Sequence, residues 1–354
     1  MVQNLSSIKQ RLTKLQSVIL ISFQDLLLYK SRDGGFRFKL LPGFSGSETT
    51  AKRRRLQSLF VTLLLVVTVT AVSCSENQME APAPESIPEA MVYIPGGSNW
   101  FGSEDGLANE RPVIERDVEP FFMDKHPVTV AEFRAFVDET GYVTETEEIG
   151  SGVVFDFERG EWTVVEGANW RYPNGPDGEE AEESHPVRQV SIADAKAYLE
   201  WADKRLPTEF EWEHAAKGGK MSEEPYAWGE SLVERGEFRA NTWNGTFPVR
   251  NTGEDGYLQT APVGEFAISE LGLTDMGGNV WEWTDSWYRP YDRLDTEFTP
   301  TRQSEKVLRG GSFMCHVSYC HGYRVSARSH TPPDNALFHV GFRGVKDVNL
   351  DENS

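Results

Sequence analysis

Two of the three cysteines in this chain lie five positions apart, Cys315 and Cys320, in a segment rich in hydroxyl, imidazole and guanidinium groups. Thiols at this spacing can form a disulfide, bind a soft metal ion, or act as a nucleophile and its resolving partner. Gly310 and Gly311 stand just before them, and paired glycines permit a sharp bend or close approach of a second backbone segment. Spacing alone favours a plain structural disulfide, as is common in oxidising compartments.

The overall composition limits the functions in which these thiols can take part. The 354 residues carry a net charge of −20, and 39% of them are apolar, which is enough for one large domain or two. Residues 1–73 have 11 basic against 3 acidic side chains, so the rest of the chain carries about −28. An acidic body repels phosphate backbones, so we exclude nucleic acid as a partner. The same acidity suits calcium, or simply solubility.

The N-terminal part is typical of an export signal. Residues 1–50 show no domain pattern, and we expect them to be an over-extended start or a disordered extension. Within 51–74, four basic residues precede an apolar run of about 13 residues, too short for a membrane span, and then the sequence Ala-Val-Ser-Cys74. This resembles a bacterial lipobox, which predicts lipidation of Cys74 and a lipid-anchored or periplasmic protein of the cell envelope. The alternative is an uncleaved signal anchor. Residues 75–90 are predicted to be a linker.

The folded body is predicted to be α+β with little regular structure. It begins with the apolar strand at Met91. Capping boxes starting at Thr129, Ser191 and Thr208 predict three helices, the first of which ends at Gly141. Long segments rich in Gly, Asn, Asp and Trp separate them, and no GxGxxG, P-loop or HExxH pattern is present.

The order of motifs resembles the formylglycine-generating enzyme family, the sulfatase-modifying factors, over residues 91–347, leaving 348–354 as a tail. The motifs that carry this resemblance are Met91-Val-Tyr-Ile-Pro-Gly-Gly, Arg205-Leu-Pro-Thr-Glu-Phe-Glu-Trp-Glu-His, Gly277-Gly-Asn-Val-Trp-Glu-Trp283, Gly341-Phe-Arg343 and the cysteine segment. Most belong to a superfamily that also contains sulfoxide synthases and proteins without known catalysis. One motif is more specific and resembles that of the copper-dependent members: Gly-Gly-Ser-Phe-Met-Cys-His-x-Ser-Tyr-Cys. The resemblance implies a C-type-lectin-like fold and a monomer.

The resemblance also implies a reaction. Cys315 and Cys320 are expected to bind Cu(I), and molecular oxygen to be the co-substrate. The cysteine of a Cys-x-Pro-x-Arg segment in an unfolded sulfatase is expected to become Cα-formylglycine. Ser312, Trp281 and Tyr319 are the other expected catalytic residues, and His316, Arg324 and His339 the substrate-binding ones. His339 stands where the family usually has asparagine. Taken singly, each of these residues fits ordinary packing as well, Trp281 in particular.

Two calcium sites are implied by the same resemblance. One uses the side chains of Asn241 and Asp255 with the carbonyls of Thr242 and Tyr257. The other uses Asp275 and Glu282 with the carbonyls of Gly278 and Val280. Such mixed oxygen sets suit a hard cation, although Asn and Asp are also ordinary turn residues. The family's structural disulfide cysteines have no counterpart, since Val325 and Gly344 stand in their neighbourhoods, so stability must come from packing and calcium.

Two other functions remain open at this point. The first is a non-catalytic envelope lipoprotein that uses the same fold to bind or assemble partners. The second is a non-haem iron sulfoxide synthase. That chemistry needs a histidine-rich metal set, and the 7 histidines contain no His-x-x-x-His pair, so it is disfavoured.

Overall fold

The structure is a computed structural model that describes residues 26–30, 36–40 and 87–348. The chain divides into two units, Met1–Gln78 and Met79–Ser354. In the first unit, β1 (Leu26–Lys30) and β2 (Phe36–Leu40) form an antiparallel hairpin. The predicted signal at 51–74 with Cys74, most of the linker and most of the tail lie outside the described residues, so those predictions stay predictions. No helix in the described ranges has the length and apolar character needed to cross a membrane.

The second unit contains short strands joined by long irregular segments, which confirms the predicted α+β class with little regular structure. Its first strand begins at Met91, as expected. The strands are β3 (Met91–Ile94), β4 (Gly97–Phe101), β5 (Ile114–Val118), β6 (Phe121–Asp124), β7 (Ser151–Asp156), β8 (Glu161–Glu166), β9 (Val233–Glu234), β10 (Glu237–Phe238), β11 (Gly245–Thr246), β12 (Arg250–Asn251), β13 (Trp281–Trp287), β14 (Lys306–Arg309), β15 (Ser329–Thr331), β16 (Val340–Gly341) and β17 (Val345–Asp347).

Two sheets and four hairpins organise these strands. A four-stranded sheet has the order β15-β14-β13-β16, in which only the β13–β16 pair is parallel. A three-stranded antiparallel sheet, β17-β6-β3, joins the two ends of the unit. The hairpins are β4–β5, β7–β8, β9–β10 and β11–β12. The four-stranded sheet matters most for function, because the segment between β14 and β15 contains both cysteines.

The three predicted helices are present and begin at their predicted caps. They are α1 (Val130–Thr140), α3 (Ile192–Trp201) and α4 (Glu209–Ala216). In α1, Phe133, Phe136 and Val137 are buried, and the helix stops at the left-handed Gly141. A short further helix, α2 (Glu145–Ile149), was not predicted, although Thr144 and Glu147 form the same capping box.

Thr129→Ala should destabilise the protein by about 1 kcal/mol. The Thr129 hydroxyl accepts a hydrogen bond from the Glu132 amide, and the Glu132 carboxylate accepts one from the Thr129 amide. Alanine removes the first and leaves a helix donor unpaired. Chemical denaturation measures the change, with Glu139→Ala at the exposed end of the same helix as the control. Equal stability of the two variants would contradict this role.

Aromatic side chains and buried ion pairs hold the irregular segments together. One core cluster joins α1, α3 and the four-stranded sheet, and it includes Trp281 and Cys315. Beneath the cysteine segment a smaller cluster contains Phe155, Phe313 and Phe338. Four buried arginine–carboxylate pairs add to these contacts: Arg309–Glu213, Arg343–Glu282, Arg328–Glu209 and Arg324–Glu110. Packing therefore stabilises the unit, as predicted, but together with ion pairs that the sequence did not reveal.

Candidate active site

The glycine pair sets the course of the cysteine segment. Gly310 and Gly311 follow β14 with φ of +90° and +74°, values that side-chain-bearing residues rarely adopt. A Cβ on Gly311 would lie 2.6 Å from the carbonyl carbon of Gly322. The bend and the close backbone approach predicted for this pair are therefore both present. The approach folds residues 312–322 into a compact loop that returns beside its own start.

Inside this loop the two cysteines form a disulfide, with their Cα atoms 5.4 Å apart. Cys315 is 1% exposed and belongs to the core, whereas Cys320 is half-buried. The amide of Ser312 approaches the Cys315 sulfur at 3.4 Å, and the Cys315 amide donates to the carbonyl of Ser312. The loop thus brings the two sulfurs together, which both the disulfide and the metal-binding interpretation require.

Both cysteines line a cavity of about 590 Å³, here called the cysteine cavity. It opens to solvent beside β13 and the β7–β8 hairpin. Six of the predicted site residues contribute to its wall. They are Trp281, Ser312, Cys315, Tyr319, Cys320 and His339.

The four-stranded sheet places two of these residues side by side. Trp281 begins β13 and His339 immediately precedes β16; the Trp281 amide donates to the carbonyl of His339 at 2.9 Å. The Trp281 ring closes over the loop, since a Cβ on Gly322 would lie 2.5 Å from it. Tyr319 is 55% exposed and stacks on Phe247 with 4.1 Å between ring centroids. The cavity wall therefore combines the buried Trp281 with the exposed ring of Tyr319.

Two of the predicted substrate-binding residues, His316 and Arg324, lie outside the cysteine cavity, and their role stays a prediction. The ring of His316 turns back to the hydroxyl of Ser318 at 2.7 Å and does not line the cavity. Arg324 lines a neighbouring cleft, where its guanidinium binds both carboxylate oxygens of the fully buried Glu110. Burial raises the pKa of Glu110, but the hydrogen bonds from Arg324 and Ser326 outweigh this effect and lower it below its ordinary value. Arg324 is therefore committed to an ion pair.

His339 is buried, and its Nδ1 has no hydrogen-bond partner among the described residues. Its ring packs against Trp162, with 5.1 Å between the ring centroids. Burial, with a contribution from the charge of Arg188, lowers the pKa of His339 to about 3. The imidazole is thus neutral at physiological pH and can accept or donate a hydrogen bond, depending on its tautomer.

This pKa shift predicts acid sensitivity that His339→Asn removes. Below pH 6.5 the unfolded chain takes up a proton at this position, while the folded protein does not until about pH 3, so folding stability falls across that window. Between pH 7 and pH 5 the wild type should lose about 2 kcal/mol more than the variant. Denaturant unfolding at a series of pH values measures the difference. Parallel stability curves for the two proteins would show that His339 is accessible to solvent.

Several cavity residues were not predicted. The β7–β8 hairpin contributes Val153 and Trp162, and the segment after the cysteines contributes His330, Asn335 and Leu337. His330 pairs with Glu305 at 2.5 Å and stacks on Tyr288. The two short runs rich in β-branched and aromatic residues on either side of Gly160 could have revealed the hairpin. Nothing in the sequence indicated that it would cover the cysteine segment.

The first predicted calcium set fits a hard cation. Asn241 is 1% exposed, and its Oδ1 has no partner among the described residues, while its Nδ2 donates to the carbonyl of Gln259. The Asp255 carboxylate faces the same segment and accepts from the amides of Thr242 and Tyr257. Burial raises the pKa of Asp255 despite these hydrogen bonds. An amide oxygen without a partner near a half-buried carboxylate is a suitable start for an oxygen-ligand site.

The second calcium set does not fit. Both oxygens of Glu282 are taken, since Arg343 donates to each at 2.7 Å and the indole of Trp212 donates to one of them at 2.7 Å. The Asp275 carboxylate is likewise engaged by Gly264, Thr274 and Asn279. Arg343 already supplies the positive charge that the resemblance assigned to calcium. Across the described residues, no three His, Cys, Asp or Glu side chains converge as a metal site.

Chelation should therefore reveal one calcium site. Removing calcium is expected to lower the unfolding midpoint by several degrees, because an ion at 100 times its Kd contributes about 2.7 kcal/mol. Asp255→Ala should abolish this response, and Glu254→Ala, in the same loop but outside the set, should keep it. The midpoint of thermal unfolding, measured with and without chelator, tests this site. A wild type that does not respond to chelator would contradict the site.

Comparison with known proteins agrees with the resemblance found in the sequence motifs. Residues 76–348 match the family described as the sulfatase-modifying factor enzyme 1-like domain. The chain is 43% identical over 292 residues to the formylglycine-generating enzyme of Thermomonospora curvata, covering 75% of this chain and 96% of the relative. It is 40% identical over 274 residues to the Bos taurus protein named inactive C-alpha-formylglycine-generating enzyme 2, covering 72% of this chain and 86% of that protein. Among solved structures, PvdO from Pseudomonas aeruginosa has a TM-score of 0.56 at 23% identity, covering 73% of this chain and 94% of that one, which indicates a shared fold.

Proposed function

The chain belongs to the sulfatase-modifying factor enzyme family, and on that premise we propose that it oxidises a sulfatase cysteine to Cα-formylglycine. The substrate is a Cys-x-Pro-x-Arg segment presented in unfolded form. The observation that carries the proposal is the position of the cysteine pair, because both residues line an open cavity. A cavity of about 590 Å³ lies within the range typical of ligand sites, ~300–1,000 Å³. A purely structural disulfide needs no such cavity.

In the reduced protein the two thiolates form a soft donor pair that suits Cu(I). Bound copper supplies the one-electron and dioxygen chemistry that side chains lack. In the net reaction the substrate's CH₂–SH carbon is oxidised to an aldehyde and its sulfur leaves as hydrogen sulfide. Dioxygen is reduced to two waters by two electrons from the substrate and two from an external thiol, and hydrolysis of the oxidised carbon consumes one water, which supplies the aldehyde oxygen. Cys315 and Cys320 fix where the substrate sulfur must lie.

The remaining cavity residues position the peptide and exclude water. The rings of Trp281 and Trp162 form apolar walls, and Trp281 shields the buried Cys315. His339, held neutral, forms part of the wall without adding charge near the thiolates, and its buried Nδ1 lacks a partner among the described residues. The exposed Tyr319 supplies an aromatic contact at the entrance. Ser312 is fully buried beside Cys315 and orients the loop.

The predicted export signal and Cys74 complete the proposal. A lipid anchor in the bacterial envelope would place the enzyme where exported sulfatases emerge unfolded, which is when a linear segment is accessible. An oxidising compartment also closes the Cys315–Cys320 disulfide, so copper and a thiol reductant must reach the site for turnover.

The direct test is the mass of a Cys-x-Pro-x-Arg peptide after incubation with the protein, Cu(I), oxygen and a thiol reductant. The expected product has the mass of the aldehyde, and a hydrazine probe should label it. A peptide with serine in place of cysteine is the matched control and should remain unchanged. Copper binding without any change in peptide mass would favour the alternative of a binding module in the envelope.

A further inference from the structure

A second cavity of about 620 Å³ shares no lining residue with the cysteine cavity. It lies between the segment that precedes Arg188 and the loop at 257–262. Its polar wall includes Asn174, His185, Arg188, Gln259 and Thr260. Neither the proposed oxidation nor the predicted calcium set uses the Arg188 side chain.

Arg188 is 7% exposed and forms no ion pair with any described carboxylate. Its single hydrogen bond runs from Nη1 to the carbonyl of Phe338 at 3.0 Å. The guanidinium also faces the rings of Phe313 and Phe338. Burial lowers the pKa of Arg188 to about 10, and no nearby carboxylate opposes this effect. A buried cation without a counter-ion is strongly unfavourable.

Arg188 lines this cavity, and part of its guanidinium has no partner among the described residues. Nε and Nη2 have no acceptor among the described residues, and neither nitrogen is fully buried. These two nitrogens form the fork that binds a carboxylate with two parallel hydrogen bonds.

The surrounding side chains add hydrogen-bond donors to the cavity wall. The amide of Asn174 donates to Oε1 of Gln259, which leaves the Gln259 Nε2 donor free among the described groups. His185 and Thr260 are joined at 3.0 Å on the same wall. Of the nearby acidic side chains, Glu180 and Glu183 pair with Arg134, and Glu182 lies 3.4 Å from Nε2 of His185. Glu179 lines the same rim.

We propose that this cavity, here called the arginine cavity, binds a small organic acid through its carboxylate on Arg188. The planar fork favours a carboxylate, and the acidic rim at 179–183 disfavours a doubly charged phosphate. The site is separate from the cysteine cavity and does not depend on the oxidase reaction.

Thermal unfolding in acetate and in inorganic phosphate, at constant ionic strength, tests the site with the full chain. Acetate should raise the midpoint saturably in the wild type and in Arg302→Met, which removes an exposed arginine elsewhere. Arg188→Met should weaken acetate binding by about tenfold or more, since it removes a charged pair of hydrogen bonds. Without acetate it should be at least as stable as the wild type.

Three results would overturn the proposal. They are no saturable shift of the unfolding midpoint in the wild type, an unchanged shift in Arg188→Met, and phosphate binding at Arg188 as tight as acetate binding.

If Arg188→Met does not fold, NMR of the wild type provides the second measurement. The ring resonances of His185, identified by their loss in His185→Gln, must move as acetate is added. Resonances that stay in place would refute the site. Neither experiment measures oxidation, so failure here leaves the proposed function untouched.

Discussion

Cys320→Ser is expected to reduce peptide oxidation by at least about a hundredfold while leaving the fold intact. A hydroxyl is a poor ligand for Cu(I), so the variant loses half of the soft donor pair. Cys320 is the better target of the two cysteines, because it is half-buried whereas Cys315 is part of the core. The initial rate of aldehyde formation and the stoichiometry of Cu(I) binding should fall together.

The control for Cys320→Ser lies in the same loop. Ser318→Ala alters an exposed residue between the cysteines and should retain the activity of the wild type. Measurements under reducing conditions separate catalysis from disulfide stabilisation, since neither protein then contains the disulfide. If Cys320→Ser oxidises peptide as fast as the wild type, the pair is merely structural and the proposed mechanism is wrong.

The largest effect on stability is expected from Glu282→Ala, which should destabilise the fold by about 3–5 kcal/mol. Glu282 and Arg343 are both fully buried, and their side chains pair through two hydrogen bonds of 2.7 Å. Removing the carboxylate leaves the guanidinium buried without a counter-ion and the indole N–H of Trp212 without its acceptor. Such a loss is a large part of the ~5–15 kcal/mol that stabilises a typical domain. Denaturant unfolding measures it.

A double variant separates the ion pair from the calcium interpretation of Glu282. Glu282→Met combined with Arg343→Met should recover most of the stability, because no unpaired charge remains and the volume is approximately kept. The double variant should also keep the chelator response that depends on Asp255. Loss of that response with Glu282 would restore the second calcium set, and a single-variant cost below about 1 kcal/mol would refute the buried pair.

The positions of several elements could be read directly from short stretches of sequence. The boxes beginning at Thr129, Ser191 and Thr208 define three helix starts, because each satisfies the first backbone donors within four residues. The capping box at Thr144 carries the same signal, and the helix that follows it, α2, is short. The glycine pair before the cysteines likewise encodes its own bend. Each of these features depends on interactions between near neighbours in the chain.

The composition of the cavity wall could not be read in this way. Trp162 meets His339 only because the β7–β8 hairpin folds over the segment before β16, and the sequence contains no signal for that contact. The ion pair of Arg324 could not be read from the sequence for a similar reason, since its partner Glu110 is distant in sequence and fully buried.

The sequence by itself determined the family, the helix starts and the cysteine pair on which the proposed chemistry depends. Only the tertiary structure decided the partners of the buried charges. It paired Glu282 with Arg343 rather than calcium, and it left Arg188 without a carboxylate. The reason is physical: a buried charge is governed by whichever opposite charge packing brings within a few ångströms, and packing joins residues far apart in the chain.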